Sequence, residues 1–180
     1  MFDNVAPFRS PGYYIREASQ DWELQGAADL RKQVFVREQC VFPHHDRDPI
    51  DDQAAHLVVL STCAHELDAV VGTVRIHQPQ LRIWWGSRLA VSADYRKVGQ
   101  LGAELIRLAV SSANAQGCDK FFAHVQVQNV DLFRRMRWHP LEEVPLHGVP
   151  HMRMMADLDY YPPMADAKLG WYHNPQKIAA

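Results

Sequence analysis

The stretch that most constrains this chain runs from Arg88 to Ile106, Arg-Leu-Ala-Val-Ser-Ala-Asp-Tyr-Arg-Lys-Val-Gly-Gln-Leu-Gly-Ala-Glu-Leu-Ile. A run of β-formers gives way to a polar loop carrying Gly99 and Gly102. The loop opens directly into a helix whose Leu105, Leu108, Ala109 and Ser112 line one side, and Gly117 ends that helix. A strand, a glycine-bearing turn and a helix N-terminus together make an anion site. The first-turn N–H groups have no preceding turn to bond to, and the helix dipole adds roughly half a positive charge. Arg96 adds a formal charge. The pattern is not a P-loop, because no Gly-Lys-Ser/Thr follows, and it is not G-x-G-x-x-G.

The flanking segments supply the sheet that such a loop needs. Residues 13–18 read as a first strand, and Ser19 or Asp21 can cap the helix that follows. In that helix Leu24, Ala27, Ala28, Leu30, Val34 and Phe35 form one apolar stripe, which runs out near Cys40. A polar loop over 43–53 precedes three strands, at 56–60, 69–77 and 81–91, with Gly86 as the expected bulge. A further strand spans Phe121 to Val127, a short helix Asn129 to Arg137, and an antiparallel pair turns at His147-Gly148 within 141–158. The order β-α-β-β-β-α-β-α-β-β predicts an α+β fold with helices on the faces of a mixed sheet.

Charge narrows the partners. The 19 Lys and Arg against 21 Asp and Glu leave a net charge of −2, which gives no reason to expect nucleic acid or an anionic membrane. No apolar run approaches the roughly 18 residues of a membrane span. No basic-then-apolar leader opens the chain, and Cys40, Cys63 and Cys118 form no C-x-x-C pair. A cytoplasmic protein with free thiols is the expectation.

Residues 88–106 resemble the coenzyme-A pyrophosphate motif of the GNAT acetyltransferase superfamily, Gln/Arg-x-x-Gly-x-Gly/Ala after a strand ending in Val. The second glycine falls at 102 rather than 101, with Leu101 interposed, so the loop is one residue longer than the pattern. Leu30 to Gln39, followed by Asp46, Asp48, Asp51 and His56, resembles the ElaA-like branch, as does Gly148-Val-Pro-His-Met152. Gln128-Asn129, a short helix and Trp138 resemble the superfamily's Asn-containing coenzyme-A acceptor. The likeness covers residues 13–158, leaving arms at 1–12 and 159–180.

The resemblance implies a GNAT-like α+β fold, a mostly antiparallel sheet of about seven strands with helices on both faces, splayed between the strands at 83–91 and 121–127. It implies direct acetyl transfer from acetyl-CoA to a primary amine of a small molecule, with no metal. Leu89, Ala90, Val91, Arg96, Lys97, Val98, Gly99, Gln100, Leu101, Gly102, Ala103, Asn129 and Phe133 are the implied coenzyme contacts. The fourth-strand Glu of many relatives is missing, since residues 83–88 read Ile-Trp-Trp-Gly-Ser-Arg. His124 is the first candidate for the general base, because a neutral imidazole suits proton abstraction near pH 7; Glu38 and His151 follow. Phe133 stands where the family's Tyr acid is expected, which leaves Tyr95, another group or no acid at all.

Residues around His44, His45, Asp46, Asp48, Asp51 and Asp52 lack the spacing of a zinc site and read as a solvated loop covering the acceptor pocket. Alternation sends one ring of the Trp84-Trp85 pair to the core and the other outward. Arg134, Arg135 and Arg137 read as a solvated helix face or a contact to the coenzyme's 3′-phosphate. The aromatic tail, with Tyr160, Tyr161, Trp171 and Tyr172, is expected to dock on its own domain or on a symmetric neighbour in a homodimer. Two other functions stay open: a synthase resembling acyl-homoserine-lactone enzymes, and a non-catalytic acyl-CoA-binding module.

Overall fold

A computed structural model describes residues 10–98 and 100–175. Residues 1–9 of the expected N-terminal arm, Gly99, and residues 176–180 of the expected C-terminal arm therefore lie outside the described residues. The elements are β1 (Tyr13–Glu17), α1 (Asp21–Arg31) running into a π-helical stretch (Lys32–Glu38), β2 (Ala55–Cys63), β3 (Glu66–Gln80), β4 (Ile83–Val91), α2 (Leu101–Ala115), β5 (Lys120–Gln126), α3 (Val130–Arg135), β6 (Trp138–Leu146), β7 (Val149–Ala156) and β8 (Trp171–His173). The strands form one sheet in the order β6-β7-β5-β4-β3-β2-β1-β8. Among the described residues only β4 and β5 run parallel, because α2 carries the chain back across the sheet between them. No helix among the described residues is long and apolar enough to cross a membrane.

Strand alternation sorts the residues to two faces. Ile15, Leu57, Val59, Ile76, Trp84 and Phe121 join Leu105 and Leu108 of α2 in the main core, each of these leucines contributing about 1.5–3 kcal/mol by burial. On the other face Val58 and Leu60 pack beneath Ala27 of α1. The α1 N-terminus is organised by Glu23 rather than by Ser19 or Asp21. Its buried carboxylate accepts from the amides of Ser19 (2.7 Å) and Gln20 (3.3 Å) and pairs with Arg16.

The sheet has eight strands where about seven are expected, and the eighth comes from the tail. Trp171–His173 pairs with β1, extending the sheet edge. Tyr161, 1% exposed, donates its hydroxyl to the Met136 carbonyl at 2.6 Å and accepts from Trp138 Nε1 at 2.9 Å. The tail therefore docks on its own domain. Its return to β1 passes Gly170 at φ +58, where a Cβ would fall 1.9 Å from the Ile15 carbonyl oxygen.

Candidate active site

The parallel pairing of β4 with β5 is short. It runs from Ile83 opposite Lys120 to Gly86 opposite Ala123 and stops, although both strands continue. Beyond that point the β5-facing edge of β4 is freed, and a cleft of about 520 Å³ opens through the sheet. Core-side residues Ile106, Ala109 and Phe133 line it on one side, and Phe42, Arg75, Trp85 and His124 on the other.

The divergence coincides with a bulge. Arg88 sits at φ 56, and the β3–β4 register slips so that Thr73 faces Ala90 while Arg75 faces Ser87. The bulge therefore falls at Arg88 and not at Gly86, the position expected from composition. Gly86 instead makes room for a neighbour, since a Cβ there would meet the Phe121 ring at 3.1 Å. The extra residue at 88 redirects the strand and leaves Arg88 and Leu89 in the cleft wall.

After Val91 the chain makes a 3₁₀ turn (Ala93–Tyr95) and enters α2 through Gln100, whose left-handed φ of 56 sets the helix N-terminus. Arg96 donates to the Val91 carbonyl at 3.0 Å and pairs with Glu38 at 2.5 Å, which positions its guanidinium beside the loop. Gly102 is not required by the fold, since a Cβ there would touch only Val91 Cγ2 at 3.7 Å, an ordinary contact.

A model of the acetyltransferase (GNAT) family matches residues 14–137, more than half of the chain. The chain belongs to the GNAT acetyltransferase family. The Bacillus subtilis protein YjcF, described as an uncharacterized N-acetyltransferase, is 26% identical over 144 residues, which cover 78% of this chain and 96% of YjcF. Escherichia coli ElaA superposes with a TM-score of 0.65 at 22% identity, over 81% of this chain and 98% of ElaA. An acyl-CoA N-acyltransferase from Pseudomonas aeruginosa does so with a TM-score of 0.64 at 19% identity, over 81% and 99%. The two superpositions show the shared fold.

Within this acetyltransferase, the residues singled out from sequence separate. His124 lines the cleft with its ring against Trp85, centroids 4.8 Å apart. Burial above all, with the neighbouring Arg153 charge, holds its pKa below the usual 6.5, so the ring is neutral at pH 7. His151 also lines the cleft, and its Nδ1 lies 2.8 Å from the Val149 carbonyl. A protonated Nδ1 donating to that oxygen leaves Nε2 with the lone pair. Glu38 is not brought to the cleft, because Arg96 holds its carboxylate away from it. Phe133 is buried against Trp138, centroids 5.1 Å apart. Tyr95 packs edge-on to Tyr13 outside the cleft, and burial raises its pKa, so it is not placed to protonate a leaving group there.

Asn129 lines the cleft at the start of α3. Arg134, Arg135 and Arg137 are exposed, Arg134 standing 3.7 Å from Asp131. None of the three cysteines is among the cleft residues. Burial pushes the Cys118 thiol up to about 11, which makes it a poor nucleophile.

The loop over 43–53 departs most from expectation. It is not merely solvated: Asp46 is 5% exposed, and Asp46, Asp48 and Asp51 enter a cluster with Arg31, Arg75 and Arg88. Arg31 bonds Asp46 at 2.7 Å and Asp51 at 2.5 Å. Arg75, 1% exposed, bonds Asp48 with both terminal nitrogens at 2.7 Å, Asp51 at 2.8 Å and Ser87 at 2.8 Å. Arg88 reaches Asp46 at 3.0 Å and Asp48 at 3.2 Å, and lies 4.6 Å over the Phe42 ring. The Arg75 hydrogen bond outweighs burial and holds Asp48 below the usual carboxylate pKa. Burial alone would raise Asp51, but Arg31, the Asp48 amide and Arg75 hold it well below that range.

This cluster fixes the bulge and one wall of the cleft. The signal in the sequence is an arginine at 75 alternating with core residues on a central strand, where an unpaired charge is not tolerated. His44 and His45 are exposed, and among the described residues no three His, Cys, Asp or Glu side chains converge as a metal ion requires.

Proposed function

We propose that this acetyltransferase moves the acetyl group of acetyl-CoA directly onto a primary amine of a small molecule. The observation that carries this reading is the parting of β4 from β5 after Gly86 and Ala123. It sets a freed strand edge between an anion-binding helix start and an apolar cavity. The Pseudomonas aeruginosa relative described as an acyl-CoA N-acyltransferase supports the donor class.

The first-turn amides of α2, from Leu101 to Ala103, would hold the diphosphate, with the charges of Arg96 and Lys97 beside them and Gly102 leaving room. The backbone of Leu89 and Val91 would pair with the pantetheine arm. An N–H near Val91 aimed at the thioester oxygen would stabilise developing negative charge by roughly 3 kcal/mol. The acceptor arrives as an ammonium, with a pKa of about 10 if it resembles lysine. His124, neutral at pH 7, takes the proton, directly or through water. The amine nitrogen bonds to the carbonyl carbon, the C–S bond breaks, and the nitrogen's second proton passes to the departing thiolate, directly or through solvent, so that coenzyme A leaves as the thiol. With a thiol pKa of about 8.5, the departing thiolate needs no dedicated acid, which accommodates Phe133 in the place of a Tyr.

Mass spectrometry of a reaction with acetyl-CoA and an amine panel tests this reading. Acetylated amine and free coenzyme A in equal amounts are expected. Acetyl found on a protein cysteine instead of the amine would contradict direct transfer.

A further inference from the structure

The walls of the cleft define a class of acceptor, an inference that rests on the proposed amine acetylation. Among the described residues lining the cleft, Asp48 is the only carboxylate. Its charge is already met by Arg75, through two bonds of 2.7 Å, and by Arg88 at 3.2 Å. Outside the lining, Asp46 and Asp51 are paired with Arg31, Arg75 and Arg88, Glu38 with Arg96 at 2.5 Å and Glu142 with Arg153 at 3.0 Å. No unmatched negative charge is therefore offered to a second cationic centre on a substrate. A polyamine or a lysine-rich segment entering here would meet two arginines and lose hydration without compensation.

The guanidinium of Arg75 is equally committed, with Nε on Ser87 and both terminal nitrogens on aspartates, so it is not free for a substrate carboxylate. Beside the uncharged polar groups of Gln39, Gln126 and Asn129, the surface offered to a ligand is aromatic and apolar. Trp85 is half-buried and forms a platform with Phe122 at 5.3 Å and His124 at 4.8 Å. On the same side of the cleft Phe42 is held between Arg88 at 4.6 Å and His147 at 4.6 Å. Rings presenting apolar faces beside a neutral imidazole base favour a flat or bulky apolar body carrying one amine.

We propose that the acceptor is a primary monoamine on an aromatic or apolar body, with Trp85 as its specificity-determining side chain. Thiol release from acetyl-CoA is measured with phenethylamine, tryptamine, spermidine and a lysine-containing peptide. The expected kcat/KM for the arylalkylamines is at least about tenfold above that for spermidine or the peptide, about 1.4 kcal/mol. Trp85→Ala should raise KM for the arylalkylamines by a similar factor while leaving the calorimetric Kd for coenzyme A unchanged, and Trp85→Phe should recover most of the loss. The unchanged Kd also reports that the variants are folded. Turnover favouring spermidine or the peptide would overturn the acceptor class but leave amine acetylation standing. No turnover with any amine, by protein that binds coenzyme A, would overturn both.

Discussion

Arg75 holds Asp48 with two hydrogen bonds of 2.7 Å, joining the middle of β3 to a loop 27 residues earlier in the chain. The arginine side chain is 2% exposed and that of the aspartate 32%, so the pair spans the cleft wall from protein interior to open space. Removing the arginine would leave Asp48 and Asp51 without their shared partner, one of them buried. Arg75→Ala should therefore cost about 3–5 kcal/mol, read from denaturant unfolding. A cost below about 1 kcal/mol would show that the cluster does not hold the wall.

The same cluster gives the stability a pH dependence of known sign. Asp48 and Asp51 titrate below their unfolded value of 3.8, so their contribution is present above about pH 4 and lost as pH falls through their folded values. His56, His77 and His124 titrate below 6.5, chiefly through burial. The unfolded chain then takes up protons below pH 6.5 that the folded chain refuses, which lowers stability further. The Tm should rise from pH 4 to pH 7; a flat profile would contradict these shifts.

If His124 is the base, kcat/KM for the amine has an acid limb lying below pH 6.5, the side to which burial moves the ring. His124→Ala should lower kcat by about 10² to 10⁴-fold and abolish that limb, with the Kd for coenzyme A unchanged. An unaltered rate and profile would transfer the role to His151, which faces the same cleft.

Gly102 separates folding from binding. Because its Cβ position is nearly open, Gly102→Ala should keep the Tm or raise it, by up to about 1 kcal/mol of helix propensity. Gly102→Leu should weaken coenzyme A by about tenfold or more, about 1.4 kcal/mol, in a calorimetric titration. Unchanged affinity would move the diphosphate away from this turn.

Much of the fold is legible in the sequence because its signals are local. The apolar runs of β2 and β3, flanked by polar residues, and the His147-Gly148 turn (φ 52 and 73) specify themselves within a few residues. So does the strand, loop and helix sequence from Arg88 to Ile106. The bulge is harder to place because glycine is only one route to it; Arg88 accepts φ 56 while its side chain is held by Asp46 and Asp48. The aspartate–arginine cluster is hidden because its bonds join residues 15 to 42 positions apart, and aspartates around a proline resemble any polar loop. The three residues of β8 carry no alternation long enough to read, and only the β1 edge makes them a strand.

The central claim is that acetyl transfer to an amine takes place where β4 and β5 part. It is tested most directly by steady-state thiol release from acetyl-CoA at pH 7 as the concentration of phenethylamine is raised. The account predicts no release beyond background without amine, and release that saturates with it. Protein that binds coenzyme A by calorimetry yet releases no thiol at any concentration of phenethylamine or the other amines would contradict it.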